Sequence, residues 1–125
     1  LSLNVLIMDD EKHITEMLGD LLKRTGCNVQ TAQDGEEAIK KYKNAKKRKK
    51  DFDLVILDLK ISGGLGGKET LEELKDYDPS VTAFVMSGYS NDPGVVHYTE
   101  HGFCGVVAKP YRIDEIRQQL EEILG

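Results

Sequence analysis

The chain is poor in cysteine and contains no long hydrophobic run. Only two cysteines occur in 125 residues, Cys27 and Cys104, and they form no C-x-x-C pair. Two separated cysteines are typical of reduced thiols in a cytoplasmic compartment. No stretch approaches the roughly 18–20 apolar residues of a membrane span, and no basic segment precedes an apolar run at the N-terminus, as it would in a signal peptide. We therefore predict a cytoplasmic domain that makes no membrane contact.

Positive charge is scarce outside one short segment. Eight of the 17 Lys and Arg residues lie between Lys40 and Lys50, a stretch without any Asp or Glu. The nine other basic residues stand against 22 acidic ones, so the rest of the chain carries a net charge of −13. Such an acidic body argues against general nucleic-acid binding, which needs clustered Lys and Arg. The segment Lys46–Lys50 is predicted to be a solvated loop or, alternatively, a salt-sensitive contact with an acidic partner.

Strand and helix patterns alternate along the chain. Five apolar runs have strand length: Leu3–Met8, Val29–Ala32, Leu54–Leu57, Val81–Met86 and Gly105–Ala108. Four of the runs are followed by apolar residues at helical spacing, and Asn91–Pro93 marks the start of a helix after the fourth run. The second helix is predicted to begin at Asp34, in a pattern like a capping box, and the fourth to extend to near Gly102. This alternation predicts one α/β domain with a parallel sheet and helices on both faces.

Polar residues follow four of the five predicted strands. Asp9 and Asp10 follow the first strand, Asp58 ends the third, Ser87 follows the fourth and Lys109 follows the fifth. In open α/β sheets, sites form at the carboxyl ends of the strands. We therefore expect three carboxylates, a hydroxyl and an ammonium group to meet at one rim of the sheet.

Three neighbouring carboxylates repel one another unless a cation compensates their charge. Oxygen ligands of this kind suit Mg²⁺, which keeps several waters and leaves room for phosphoryl oxygens. Lys109 would add a second positive charge and Ser87 a hydrogen bond. A carboxylate in this setting can act as a nucleophile and form an acyl phosphate.

Four ordered segments together resemble the receiver domain of response regulators in two-component signalling. They are Leu6–Glu11, Leu54–Asp58, Val85–Gly88 and Ala108–Tyr111. The resemblance covers essentially the whole chain and implies a single receiver domain over residues 1–125. It implies a flavodoxin-like (βα)5 fold with strand order 2-1-3-4-5. It also points to the receivers found at the C-terminus of hybrid sensor histidine kinases.

The resemblance implies a role for each acidic residue. Asp58 would accept a phosphoryl group from a histidine kinase or a histidine phosphotransfer protein. Asp10, Asp58 and the backbone carbonyl of Lys60 would bind Mg²⁺ directly, and Asp9 would act mainly through water. The domain would promote its own phosphorylation and dephosphorylation, without turnover of a separate substrate.

The resemblance also assigns the remaining polar groups and exposes two departures. Lys109 would pair with the phosphoryl oxygens, Ser87 would move to bond the phosphoryl group, and the Lys109–Pro110 bond would be cis. Val106 stands where the family often has an aromatic switch residue, so the ring whose rotation carries the signal in the family is missing at this position. Ser62 replaces a frequent Pro, and the glycines of Gly63–Gly67 predict a mobile loop.

Three other functions are compatible with parts of the pattern. A flavodoxin-like FMN carrier has the same fold, but Asp9–Glu11 would repel the FMN phosphate. A haloacid dehalogenase-type phosphatase needs a second Asp two residues after the nucleophile, where this chain has Lys60. A binding-only pseudo-receiver loses acidic site residues, whereas all of them are present here. Phosphoryl transfer to Asp58 remains the favoured function.

Overall fold

The computed structural model describes residues 3–88, 93–108 and 113–124, in which strands and helices alternate. The strands are β1 (Asn4–Met8), β2 (Asn28–Ala32), β3 (Leu54–Asp58), β4 (Ala83–Ser87) and β5 (Gly105–Ala108). The helices are α1 (Lys12–Arg24), α2 (Gly35–Lys47), α3 (Gly67–Tyr77), α4 (Pro93–Val96) and α5 (Ile113–Leu124). None of the described helices is long and apolar enough to cross a membrane.

The five strands form one parallel sheet in the order β2-β1-β3-β4-β5, which confirms the predicted topology. Every residue of β3 and β4 is buried, because helices cover both faces of the sheet. The edge strand β2 instead alternates exposed and half-buried residues over its first four positions. Since all strands run in one direction, their carboxyl ends form a single rim.

The core has two hydrophobic layers, one on each face of the sheet. Successive residues of a strand point to opposite faces, so Leu57 packs in the same cluster as Leu71 of α3. Ile56 packs in the other cluster, together with Leu18 of α1. All four side chains are fully buried. This packing fixes the position of β3 and therefore of Asp58 at its carboxyl end.

Helix α2 begins as its sequence predicts. The Asp34 carboxylate accepts a hydrogen bond from the backbone N–H of Glu37 at 2.9 Å, which satisfies one of the free donors at the helix N-terminus. The predicted apolar face is buried and consists of Ala38, Ile39, Tyr42 and Ala45.

Two boundaries differ from the sequence interpretation. Helix α2 continues to Lys47, so two residues of the segment predicted to be a loop lie in its last turn. Lysine is favourable there because the carbonyl end of a helix carries partial negative charge. The predicted extension of α4 to Gly102 is wrong: α4 ends at Val96. Turns follow it, including a hydrogen bond from the Gly102 N–H to the Thr99 carbonyl at 3.1 Å.

A polar cluster joins α2 to the loop between α3 and β4, and we call it the Asp78 cluster. The buried Asp78 carboxylate accepts hydrogen bonds from Lys46 Nζ at 2.8 Å, Tyr42 Oη at 2.7 Å and Ser80 Oγ at 2.7 Å. The bonds from Lys46, Ser80 and Tyr42 hold the pKa of Asp78 well below its usual range. Burial and the bond to Asp78 raise the pKa of Tyr42. The cluster therefore ties α2 to the loop after α3 through a charged carboxylate.

Candidate functional site

Three carboxylates meet at the carboxyl rim of the sheet. Strands β1 and β3 are neighbours, and Met8 pairs with Leu57. Asp9 and Asp58 therefore leave the sheet at the same level, with Asp10 next to them. One carboxylate oxygen from each of Asp9, Asp10 and Asp58 lies within 4.8 Å of the others. The structure thus brings together the three acidic residues that the sequence predicted to meet, and we call them the acidic cluster.

The three carboxylates differ in exposure and in their hydrogen bonds. Asp9 is 2% exposed and Asp58 7%, whereas Asp10 is exposed to solvent. Asp9 Oδ1 accepts a hydrogen bond from the Glu11 N–H at 3.0 Å, and Asp10 Oδ2 accepts one from the Ser62 N–H at 3.2 Å. These backbone donors fix the directions of two carboxylates. The sequence did not predict that Ser62 would bond Asp10, because every residue except proline has a backbone N–H that can donate.

The donor set of the acidic cluster fits Mg²⁺. The ion prefers carboxylate oxygens at about 2.1 Å, so two oxygens on one ion lie at most about 4.2 Å apart. The oxygens of the acidic cluster all lie within 4.8 Å of one another, which is compatible with direct binding by some carboxylates and binding through water by another. Lys60 follows Asp58 by two residues, with its side chain exposed. The arrangement suits a partly hydrated cation at the carboxyl rim of the sheet.

Ser87 lies beside the acidic cluster, at the end of the neighbouring strand. Asp58 pairs with Met86 across β3 and β4, so Ser87 extends one residue further toward the same rim. Its side chain is buried. Val106 is half-buried on β5 and pairs with Val85. Lys109 and the predicted cis Lys109–Pro110 bond lie outside the described residues.

The glycine-rich loop after β3 packs closely against the site. A Cβ atom on Gly67 would lie 2.7 Å from the backbone oxygen of Asp58, and one on Gly66 would lie 2.6 Å from that of Leu59. A Cβ on Gly64 would lie 2.9 Å from Asp34 Cβ at the start of α2. The sequence interpretation related these glycines to mobility. Their contacts give them a packing role, since only a residue without Cβ allows this approach.

We expect Gly67→Ala to lower the free energy of unfolding by about 1–3 kcal/mol, the usual cost of overpacking. The new Cβ would meet backbone atoms of Asp58, and these cannot move without displacing the end of β3. Gly19→Ala is the matched control, because its Cβ would lie 3.4 Å from a Val29 methyl group. In mid-helix, alanine should be neutral or up to about 1 kcal/mol stabilising. Urea unfolding measures both, and equal stability of Gly67→Ala and wild type would contradict the packing role.

Comparison with known proteins identifies the family. The model of the response regulator receiver domain matches residues 5–121. The chain belongs to this family. The receiver is 31% identical over 122 residues to the transcriptional regulatory protein ZraR of Klebsiella oxytoca, covering 98% of this chain and 26% of ZraR. It is 28% identical over 122 residues to a cyclic di-GMP phosphodiesterase of Thermotoga maritima, covering 98% of this chain and 31% of that protein. The chain thus spans about a quarter to a third of these relatives.

Solved structures place the receiver in the same fold. A chain of the CheX–CheY–BeF₃–Mg²⁺ complex from Borrelia burgdorferi matches with a TM-score of 0.87 and 27% identity, covering 98% of this chain and 90% of that chain. The response regulator TrrA of Thermotoga maritima, in complex with Mg²⁺–BeF, matches with a TM-score of 0.82 and 27% identity, covering 98% of both chains. The flavodoxin-like fold is confirmed. The predicted likeness to hybrid-kinase receivers gains no support, since the relatives described here are named as regulators and a phosphodiesterase.

Proposed function

We propose that this receiver accepts a phosphoryl group on Asp58 in a Mg²⁺-dependent reaction within a two-component phosphorelay. The acidic cluster carries the proposal: three carboxylates with oxygens within 4.8 Å of one another lie at the carboxyl rim. The two structural neighbours named above support it, since both were determined with Mg²⁺ and a beryllofluoride group. The single receiver domain would extend over residues 1–125.

Asp58 is the carboxylate best placed to act as the nucleophile. It is the last residue of a fully buried strand, so the sheet holds it in place while its side chain reaches the rim. Oδ of Asp58 would attack phosphorus, forming a new P–O bond. The P–N bond of a phosphohistidine would break, and its electron pair would return to the imidazole of a histidine kinase or phosphotransfer protein.

The other site residues would hold charge around the transferred group. Asp10, Asp58 and the Lys60 backbone carbonyl would bind Mg²⁺, and Asp9 would act through water. When bound, the ion supplies positive charge that compensates the carboxylates and the phosphoryl oxygens. Ser87, buried beside Asp58, would donate its hydroxyl to a phosphoryl oxygen. Lys109 would contribute an ammonium group to the same oxygens.

Removing the metal is expected to abolish phosphoryl uptake. The chain would be incubated with acetyl phosphate and Mg²⁺, or with acetyl phosphate and EDTA, and its intact mass measured. We expect a gain of one phosphoryl group with Mg²⁺ and none with EDTA, because the acidic cluster would repel an uncompensated phosphate. Equal gains in both samples would contradict the metal requirement. No gain from acetyl phosphate or from a phosphohistidine donor would contradict phosphorylation itself.

A further inference from the structure

A second polar surface lies along the edge strand β2, away from the acidic cluster. It consists of two clefts of about 560 and 140 Å³, which share Gln30 and Lys50 as lining residues. Lys23 lines the larger cleft, and Lys41 and Arg48 line the smaller one. We call this surface the basic cleft. No Asp or Glu lines either part, so its charged groups are all positive.

Two lysines of α2 are already engaged within the protein. Lys46 pairs with Asp78 at 2.8 Å and with Asp51 at 3.5 Å. Lys41 pairs with Glu37 at 3.4 Å. Because their charge is already paired, these lysines contribute less to an outside partner. The sequence interpretation of Lys46–Lys50 as one uniform basic segment is therefore too simple.

The three other cations of the basic cleft are available to a ligand. Lys23, Arg48 and Lys50 are all exposed. Within the described ranges, no carboxylate lies within ion-pair distance of any of them. They come from the end of α1 and the segment after α2, on the two sides of β2. Three exposed cations that line the two joined parts of the basic cleft favour a ligand with several negative charges.

The remaining lining groups suit a polypeptide ligand. Asn4, Asn28 and Gln30 line the larger cleft. The Asn28 amide donates to the Asn4 side-chain oxygen, and the Asn4 amide donates to the Asp51 carbonyl. The exposed amide of Gln30 is therefore the group best placed to donate to and accept from a peptide backbone. A neighbouring cleft that shares Lys23 and Gln30 is lined by Glu16 and Asp20. The change of charge there limits how far an acidic ligand can extend along α1.

The backbone edge of β2 is less suited to pairing with a further strand. The hydrogen bonds from Asn28 N–H to Leu3 and from Asp9 N–H to the Ala32 carbonyl show that even-numbered residues of β2 face β1. The outward groups therefore belong to Val29 and Thr31, and Lys41 donates a hydrogen bond to the Thr31 carbonyl. A lysine covering an edge discourages strand addition. Recognition would rest on the side chains of the cleft.

We propose that the basic cleft docks an acidic segment of a partner protein, whose carboxylates pair with Lys23, Arg48 and Lys50. The cations are distributed along two joined clefts, which matches a chain of carboxylates better than one compact anion. The Gln30 side-chain amide, which lines both clefts, would bond the peptide backbone. The surface uses no residue of the acidic cluster, so this proposal stands apart from phosphorylation of Asp58.

A labelled oligoglutamate peptide provides the test, with binding followed by fluorescence anisotropy at low salt. The cleft variant is Lys23→Gln/Arg48→Gln/Lys50→Gln. The control, Lys40→Gln/Lys47→Gln/Lys68→Gln, removes the same charge from exposed lysines that line neither part of the cleft. We expect affinity to fall about tenfold in the cleft variant and less than about threefold in the control. Circular dichroism checks that both variants fold.

Four outcomes would overturn the proposal. Equal losses in the two variants would indicate diffuse attraction to a basic helix, and an affinity that does not fall with added NaCl would exclude ion pairing. A change of the monomer–dimer equilibrium confined to the cleft variant would assign the cleft to a second copy of the chain. Loss of peptide binding in a folded Asp58→Asn variant would tie the surface to the acidic cluster. Retained binding in that variant supports an independent site.

Discussion

Replacing Asp58 by Asn is expected to abolish phosphoryl uptake from acetyl phosphate in the presence of Mg²⁺. The amide is nearly the same size as the carboxylate, but it lacks the negative charge and the nucleophilic oxygen that would attack phosphorus. We expect uptake to fall by more than about a hundredfold, so that no phosphorylated species exceeds background. Intact mass spectrometry at matched times measures the change directly.

The matched control for this substitution is Asp53→Asn. Asp53 precedes β3, and its carboxylate accepts a hydrogen bond from the Asn4 N–H at 2.8 Å, at the end opposite the acidic cluster. An amide oxygen can still accept that bond. The control therefore changes the same charge without touching the site, and it should retain wild-type uptake. Undiminished mass gain in a folded Asp58→Asn protein would refute Asp58 as the acceptor.

The same pair of variants separates the proposed function from binding-only alternatives. A pseudo-receiver would gain no mass in either variant or in wild type. Binding of beryllofluoride offers a second measurement. It would require the acidic cluster, but it does not require a bond to be broken in a phosphoryl donor. Binding of beryllofluoride that survives Asp58→Asn would count against the assignment as strongly as retained phosphorylation.

The sheet and the acidic cluster were predictable because both follow from local patterns and one geometric rule. Apolar runs of strand length between helical patterns predict a parallel sheet. In such a sheet the carboxyl ends of the strands meet, so Asp9 and Asp58 lie together although 49 positions separate them. The rule needs only the position of each residue relative to its strand. It does not need the details of side-chain packing.

Features that depend on backbone groups or tertiary packing were not predictable. The Ser62 N–H holds Asp10, and any residue other than proline could supply that donor. From the sequence, Gly67 is predicted to be a flexible position, and only the structure shows its close contact with the Asp58 backbone. The turns after α4 replace the predicted helix, although Tyr98 packs against the core within them.

The Asp78 cluster shows the same limit for side chains. The sequence places Tyr42 on the apolar face of α2, which is correct for the ring. Its hydroxyl partner, Asp78, lies 36 residues further on, and only the packing of α2 beside α3 brings them together. Lys46 was assigned to a solvated loop and instead joins this cluster. A buried tyrosine hydroxyl requires a hydrogen-bond partner, and the spacing of apolar residues in the sequence cannot identify that partner.

Asp78→Ala is expected to lower the free energy of unfolding by about 2–4 kcal/mol. The substitution leaves the buried Tyr42 hydroxyl without its acceptor and removes charge-assisted hydrogen bonds. Urea unfolding gives the value. The double variant Tyr42→Phe/Asp78→Ala should lose less than the sum of the two single variants, because it leaves no orphaned hydroxyl. Strict additivity would show that the two groups are not coupled.

The pH dependence of this loss tests the charge on Asp78. Hydrogen bonds from Lys46, Ser80 and Tyr42 depress the pKa of Asp78 in the folded protein, whereas an Asp in an unfolded chain has a pKa of about 3.9. The ionised carboxylate therefore stabilises the fold fully above about pH 4, and this contribution is lost as pH falls toward the folded pKa. The stability difference between wild type and Asp78→Ala should be constant from about pH 5 to 8 and shrink below about pH 4. A difference that stays constant into acid would mean that Asp78 acts through its shape and not its charge.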